Sequence, residues 1–182
     1  YIPSHSESQS VQSSVAELKT MFGFKYETEQ IPSQNWNAVW ESNFQPIVVD
    51  NYCALRADFH APIKNVKHEL IIQPKMSFGT GHHATTFQMM QQMQSLNFAG
   101  KKVLDYGCGT GVLAILASKE GASVIDAIDI DEWAYKNTLE NRTINNVTNV
   151  NVLQGNVHQV ASDTYDIILA NITFNVISGS IG

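Results

Sequence analysis

The chain has little of what several protein classes require. It contains two cysteines, Cys53 and Cys108, too few for a disulfide framework. Cys108 lies inside a glycine-rich turn, a poor place for a structural bridge, so a reducing cytoplasm is the expected compartment. No apolar run approaches the roughly 20 residues that span a bilayer. No basic stretch followed by an apolar core opens the chain, so a secretory signal is not read there. Basic residues are few: Lys and Arg number 11 against 17 Asp and Glu, giving a net charge of −6. That balance argues against a broad electrostatic grip on nucleic acid and leaves a basic protein or a small molecule as the natural partner. The first residue is Tyr1 rather than Met, which suggests a piece of a longer protein.

What is present reads as a soluble α/β chain, with 43% hydrophobic and 15% charged residues excluding a disordered composition. Residues 1–14, rich in Ser and Gln, read as a loop. Val15, Leu18, Met21 and Phe22 have helical spacing, closed by Gly23. "KYETEQI" alternates like a strand. Trp36, Val39, Trp40 and Phe44 mark one face of a further helix, best read as packing between domains. "IVVDNYCALRADFH" and "KHELIIQP" read as two strands joined by a turn around Ala61 and Pro62. A methionine-rich helix follows, with Phe87, Met90, Met93 and Leu96 on its apolar face.

From Lys101 the pattern is strand, helix, strand, helix, strand, strand. "KKVLDYG", "SVIDAIDI", "NVNVLQG" and "YDIILANI" supply the strands. "GVLAILASKEGA" and "DEWAYKNTLENRTINN" supply the helices, the second with Asp131 as N-cap. This alternation predicts a doubly wound, Rossmann-like parallel sheet. The closing "TFNVISGSIG" reads as linker-like, and a sheet ending there would leave an open edge.

Two stretches carry chemistry. "LDYGCGTG" places Gly107, Gly109 and Gly111 between a strand and a helix, where the backbone can turn tightly against a ligand. Asp129 ends the next strand, 22 residues after Gly107, where an acid can accept hydrogen bonds from ribose hydroxyls. A dinucleotide fingerprint fits poorly. Counted from Gly107 it meets Val112 where glycine is needed, and counted from Gly109 it leaves Gly107 and Cys108 interposed. Asp105, two residues before the first glycine, would repel a pyrophosphate and suit a cationic ligand. The second stretch, "MSFGTGHHATT", invites other readings. No Lys follows Gly81, which excludes a P-loop. His82 and His83 are adjacent and cannot readily share a metal, and no Cys or carboxylate stands nearby at ligand spacing.

"VLDYGCGTG" followed by "AIDID" resembles the first motif and ribose-binding acid of class I S-adenosylmethionine-dependent methyltransferases. "FGTGHHATT", about twenty residues upstream, resembles one branch of them, the ribosomal protein L11 methyltransferase family. "NWNAVWESNFQPI" and Ala170-Asn171-Ile172 are similar to further segments of that family, so the resemblance covers roughly residues 33–174. It implies S-adenosyl-L-methionine as cofactor, contacted by Thr86, Gly107, Asp129 and Asn171, with Asp105 and Gly109 in the same loop and Asn156 near the adenine. Phe78, Gly79, Thr80 and Gly81 would pack over the donor. Asn171 is the expected catalytic residue, its carbonyl accepting a hydrogen bond from the incoming amine. "NITF" is only partly similar to the Asn-Pro-Pro-aromatic loop of other nitrogen methylators, so Phe174 is given no role. The resemblance also implies a division of the chain. Residues 1–33 would be the remnant of an N-terminal substrate-recognition α/β domain, 34–45 an interdomain helix, and 46–182 a catalytic domain. A class I sheet has seven strands, so the four read here point to missing C-terminal parts. The implied substrate is a large-subunit ribosomal protein, methylated on lysine and N-terminal amines. The alternatives are a class I methyltransferase of a small molecule or RNA, and a donor-binding module without activity.

Overall fold

The structure, a computed structural model, describes residues 9–25, 45–73, 84–160 and 164–179. The chain divides into two compact units, Tyr1–Val39 and Trp40–Gly182. In the first, helix α1 (Gln9–Phe22) ends at Gly23, whose φ of 66° is left-handed and whose N–H donates to the Lys19 carbonyl at 2.9 Å. The helix starts earlier than its apolar spacing implied. Ser10, Ser13 and Ser14, read as loop, are helical; serine is a moderate helix former, and Ser13 and Ser14 are exposed, where no apolar partner is needed. The strand expected in "KYETEQI" and the tryptophan helix of residues 34–45 lie outside the described residues.

The second unit holds two sheets. The smaller runs β1 (Ile47–Val49), β2 (Cys53–Arg56) and β3 (His68–Ile71), with β1 antiparallel to β2 and β2 parallel to β3. One of the two strands expected here is thus two. The break falls at Asp50, which takes a left-handed φ of 49°, and Tyr52 N–H closes the turn onto the Val49 carbonyl at 3.0 Å. Aspartate tolerates that conformation better than the β-branched residues before it.

Helix α2 (Ala84–Met93) leads to the larger sheet. Met90 and Met93 are buried, while Leu96, past the helix end, is exposed rather than on its apolar face. The larger sheet contains β4 (Lys102–Tyr106), β5 (Val124–Asp129), β6 (Val150–Gln154) and β7 (Ile167–Ala170), all parallel, in the order β6-β5-β4-β7. Helix α3 (Val112–Lys119) follows β4 and α4 (Glu132–Ile144) follows β5. Every α3 residue from Val112 to Ala117 is buried, as expected of a helix apolar on all sides packed between β3 and β4. Asp131 caps α4, accepting from Trp133 N and Ala134 N. A short helix α5 (Phe174–Ser178) stands where a linker was expected. Its Thr173-started turn closes through backbone hydrogen bonds such as Val176 N to Thr173 O at 3.0 Å, and it buries no residue that a pattern could reveal.

Both cysteines are free and buried. Among the described residues no helix is long and apolar enough to cross a membrane.

Candidate functional site

Strand β4 has β5 on one side and β7 on the other. The chain runs outward through β5 and β6 and returns to β7, so the order reverses beside β4. Such a point leaves a crevice at the carboxyl ends of the strands. A cavity of about 560 Å³ opens there, within the usual range for a small-molecule site. Gly107 and Gly109 line it from the β4–α3 turn, Asp129 and Ile130 from the end of β5, Asn171 and Ile172 from the end of β7, and Thr85 from α2.

The glycine loop is built for close approach. Gly107, Gly109 and Gly111 have φ of 73°, 56° and 78°, a region that costs side-chain-bearing residues energy. A Cβ on Gly107 would lie 2.2 Å from Ile172 Cγ2. The Gly107 and Cys108 amides both donate to the Ile128 carbonyl, at 2.8 and 3.1 Å, tying the loop to β5.

The two acids differ. Asp129 accepts one bond on each oxygen, from Gly109 N at 2.9 Å and Asp131 N at 3.0 Å. A carboxylate oxygen has two lone pairs, so each retains capacity for a ligand hydroxyl. Asp105 lies beneath the loop at 1% exposure. Its Oδ2 accepts from Ala114 N at 3.0 Å, while Oδ1 has no hydrogen-bond partner among the described residues. Burial pushes its carboxyl up to about 7, with the charge of Asp129 adding to the shift and the Ala114 amide opposing it. A cleft with room for about one water separates Asp105 from Thr86 and Asn171.

Thr86 and Asn171, 85 residues apart, are bonded: Asn171 Nδ2 donates to Thr86 Oγ1 at 3.0 Å. That bond orients the amide and leaves Asn171 Oδ1 as an acceptor. A third cavity, of about 430 Å³, lies on the α2 side, lined by Thr85, Gln88, Met89 and Asn171 among others. Asn171 borders all three spaces.

Of the residues singled out in the sequence, Gly107, Gly109, Asp129 and Asn171 line the main cavity, and Asp105 and Thr86 line the cleft below it. Asn156 is not brought to either. It is exposed, and its Oδ1 accepts from His158 N to cap a short 3₁₀ turn. Phe78, Gly79, Thr80, Gly81, His82 and His83 lie outside the described residues. Sequence reasoning passed over Thr85 and Ile172 in the lining, and Thr138 and Asn141, whose side chains hold the glycine loop from behind. The available signal for the last two was polar residues recurring on one face of a helix between apolar strands.

The model of the ribosomal protein L11 methyltransferase (PrmA) family matches residues 1–179. The chain belongs to this family. It is 46% identical over 156 residues to a ribosomal protein L11 methyltransferase of Porphyromonas gingivalis, an alignment covering 85% of this chain and 54% of that protein. It is 43% identical over 150 residues to one of Chlorobaculum parvum, covering 79% of this chain and 52% of that protein. The chain thus spans about half the length of the curated relatives it matches. Among solved structures it resembles the ribosomal protein L11 methylase of Lactobacillus delbrueckii subsp. bulgaricus, with a TM-score of 0.68 at 24% identity over 76% of this chain and 72% of that one. That likeness shows the class I methyltransferase fold, of which the four-stranded parallel sheet described here is a part.

Proposed function

We propose that this family member carries the S-adenosyl-L-methionine site and the amine-positioning asparagine of a protein N-methyltransferase. Its substrate would be ribosomal protein L11, methylated on lysine and N-terminal amines. The observation that carries this reading is the set of groups around one crevice: a glycine cradle, two acids without cationic partners among the described residues, and an asparagine with a fixed amide.

The residues fit the cofactor. Gly107 and Gly109 line the cavity in left-handed turns, so a ligand there would meet bare backbone. Asp129 retains acceptor capacity for ribose hydroxyls on both oxygens. Asp105, whose Oδ1 is orphaned, lines a cleft that shares Gly107 and Asn171 with the main cavity, where a cationic ligand would complete it directly or through one water. Two acids near one ligand favour a donor with ammonium and sulfonium charges over a pyrophosphate. When bound, the donor supplies an electrophilic methyl group.

The remaining work is positioning. Asn171, with Nδ2 anchored on Thr86, offers Oδ1 to an N–H of a neutral amine and so aims its lone pair at the crevice. The cavity along α2 shares Thr85 and Asn171 with the main one, which suits it as the amine's route of approach. Among the described residues its lining has no carboxylate to hold the amine as a cation; the proton leaves to water before the amine enters. Residues 1–33 would contribute to the domain that holds the protein substrate. The buried free thiols accord with work in the cytoplasm.

The test is incubation of the full-length protein with methyl-labelled donor, the large-subunit proteins and ribosomal RNA. Label is expected in L11 alone, on lysine and N-terminal amines; label in RNA or in a metabolite would overturn the substrate. Asn171→Ala is expected to lower turnover about a hundredfold with donor affinity changed much less, in line with losses from single positioned polar groups. Unchanged turnover would remove Asn171 from its role.

A further inference from the structure

A helix lying between two sheets normally presents an apolar face. Helix α4 presents Asn137, Thr138, Asn141 and Asn145, all at 8% exposure or less. Buried amides destabilise unless every polar atom is bonded, so their partners reveal what they hold.

One set of partners is the free edge of β3. That strand's other edge pairs with β2, and no further strand flanks it among the described residues. Asn145 exchanges two bonds with Ile71, accepting from its N–H at 3.0 Å and donating to its carbonyl at 2.6 Å. Asn141 Oδ1 accepts from Gln73 N at 2.8 Å, and Asn137 Nδ2 donates to Gln73 O at 3.2 Å. The asparagines take the place of a neighbouring strand.

The other set of partners is the glycine loop. Asn141 Nδ2 donates to Thr110 O at 2.9 Å, and Thr138 Oγ1 donates to Gly109 O at 2.8 Å. Gly111 sits so close that a Cβ there would come 2.7 Å from Thr138 Cγ2. Asn141 therefore bonds both segments at once: Oδ1 holds β3, while Nδ2 gives one hydrogen to the loop and the other to Asn137 Oδ1 at 3.2 Å.

We infer that Asn141 and Thr138 are positioning residues for the methyl donor. They hold the Gly109 and Thr110 carbonyls back against α4, which fixes the left-handed turn at Gly109 and keeps its N–H on Asp129. The Asp129 carboxylate is thereby aimed into the cavity. Through Asn141 the same anchor reaches Gln73, so the glycine loop and the β3 edge keep one register. This inference rests on donor binding in the crevice as proposed above.

The test is calorimetric titration of S-adenosylmethionine into the full-length protein and its variants, with thermal unfolding measured alongside. Thr138→Val keeps the shape and removes the hydroxyl; Thr138→Ser keeps the hydroxyl. The expected result is a five- to tenfold loss of donor affinity for Thr138→Val, the scale of about one hydrogen bond, and affinity within about twofold for Thr138→Ser. Asn141→Ala is expected to lose about thirtyfold, and if it does not fold the threonine pair decides. Donor affinities equal to wild type in folded Thr138→Val, with only the melting temperature lowered, would overturn the inference and leave a purely structural network. A wild-type protein that binds no donor would overturn the reading of the crevice itself, and this inference with it.

Discussion

The two sheets of the larger unit treat charge in opposite ways. Around the small sheet two partly buried acids are paired with basic side chains. Glu69 binds the Arg56 guanidinium at 2.9 and 3.2 Å, and Glu120, at the C-terminus of α3, meets Lys67 and His68 from the β3 side. In the parallel sheet Asp105 and Asp129 are held by backbone N–H groups and have no ion pair among the described residues. Paired acids fix a shape. Acids at the ends of parallel strands, bonded only to amides, are left free to answer a cationic ligand. The difference separates scaffold from site without reference to any relative.

Three substitutions probe that contrast. The largest effect is expected from Gly107→Ala, which must place a Cβ 2.2 Å from Ile172 Cγ2 at a φ of 73°. Donor binding should fall below detection and stability by about 2–3 kcal/mol, read by calorimetry and denaturant unfolding.

Next is Glu69→Ala. It leaves the buried Arg56 without its carboxylate and Ile63 N without an acceptor, at a cost of about 3 kcal/mol. Donor affinity should hold once the protein is folded. The Arg56 bond keeps the Glu69 carboxyl below its ordinary range, so this contribution is present above about pH 4.5 and is lost as pH falls through the folded value. Wild type should therefore lose its stability advantage over the variant in acid.

Asp105→Asn comes last: it is expected to change stability least in acid, and toward neutral pH its effect has the opposite sign. Asp105 titrates at about 7 when folded against 3.8 as a free side chain, so the folded state holds the extra proton between those values. Its contribution is greatest below about pH 4 and is lost as pH rises to about 7. Wild type should lose stability over that window relative to Asp105→Asn. Donor affinity should rise with pH through about 7 in wild type, because a cationic ligand favours the ionised acid, and stay flat in the variant. A flat wild-type profile would show that Asp105 does not face the ligand's charge.

The parallel sheet was legible because its signals are local. β4 and β5 are short apolar runs, α3 is apolar throughout, Asp131 is a recognisable cap, and glycines directly after a strand mark a tight turn open to a ligand. Asp129 could be named because its position depends only on the length of one strand-helix-strand unit. What escaped depends on contacts across the fold. The β1–β2 break rests on the φ of Asp50, which composition does not reveal. Helix α5 buries no side chain and leaves no periodic trace. Asn137, Asn141 and Asn145 carry no signal of burial in the sequence, because pattern rules assign amides to water. They are buried because β3 offers an unpaired backbone edge, and only the tertiary structure brings that edge to them. Asn156, read as an adenine contact, caps a 3₁₀ turn and stands outside the described lining of the cavities.

Everything proposed for the crevice between β4, β5 and β7 depends on its binding a methyl donor through the acid at the end of β5. Titration of S-adenosylmethionine into the protein and its Asp129→Ala variant tests this dependence at its source. One site per chain is expected in wild type. With two charge-assisted bonds to the ribose removed, the variant should bind at least about a hundredfold more weakly. Equal affinity in both proteins would refute donor binding through Asp129.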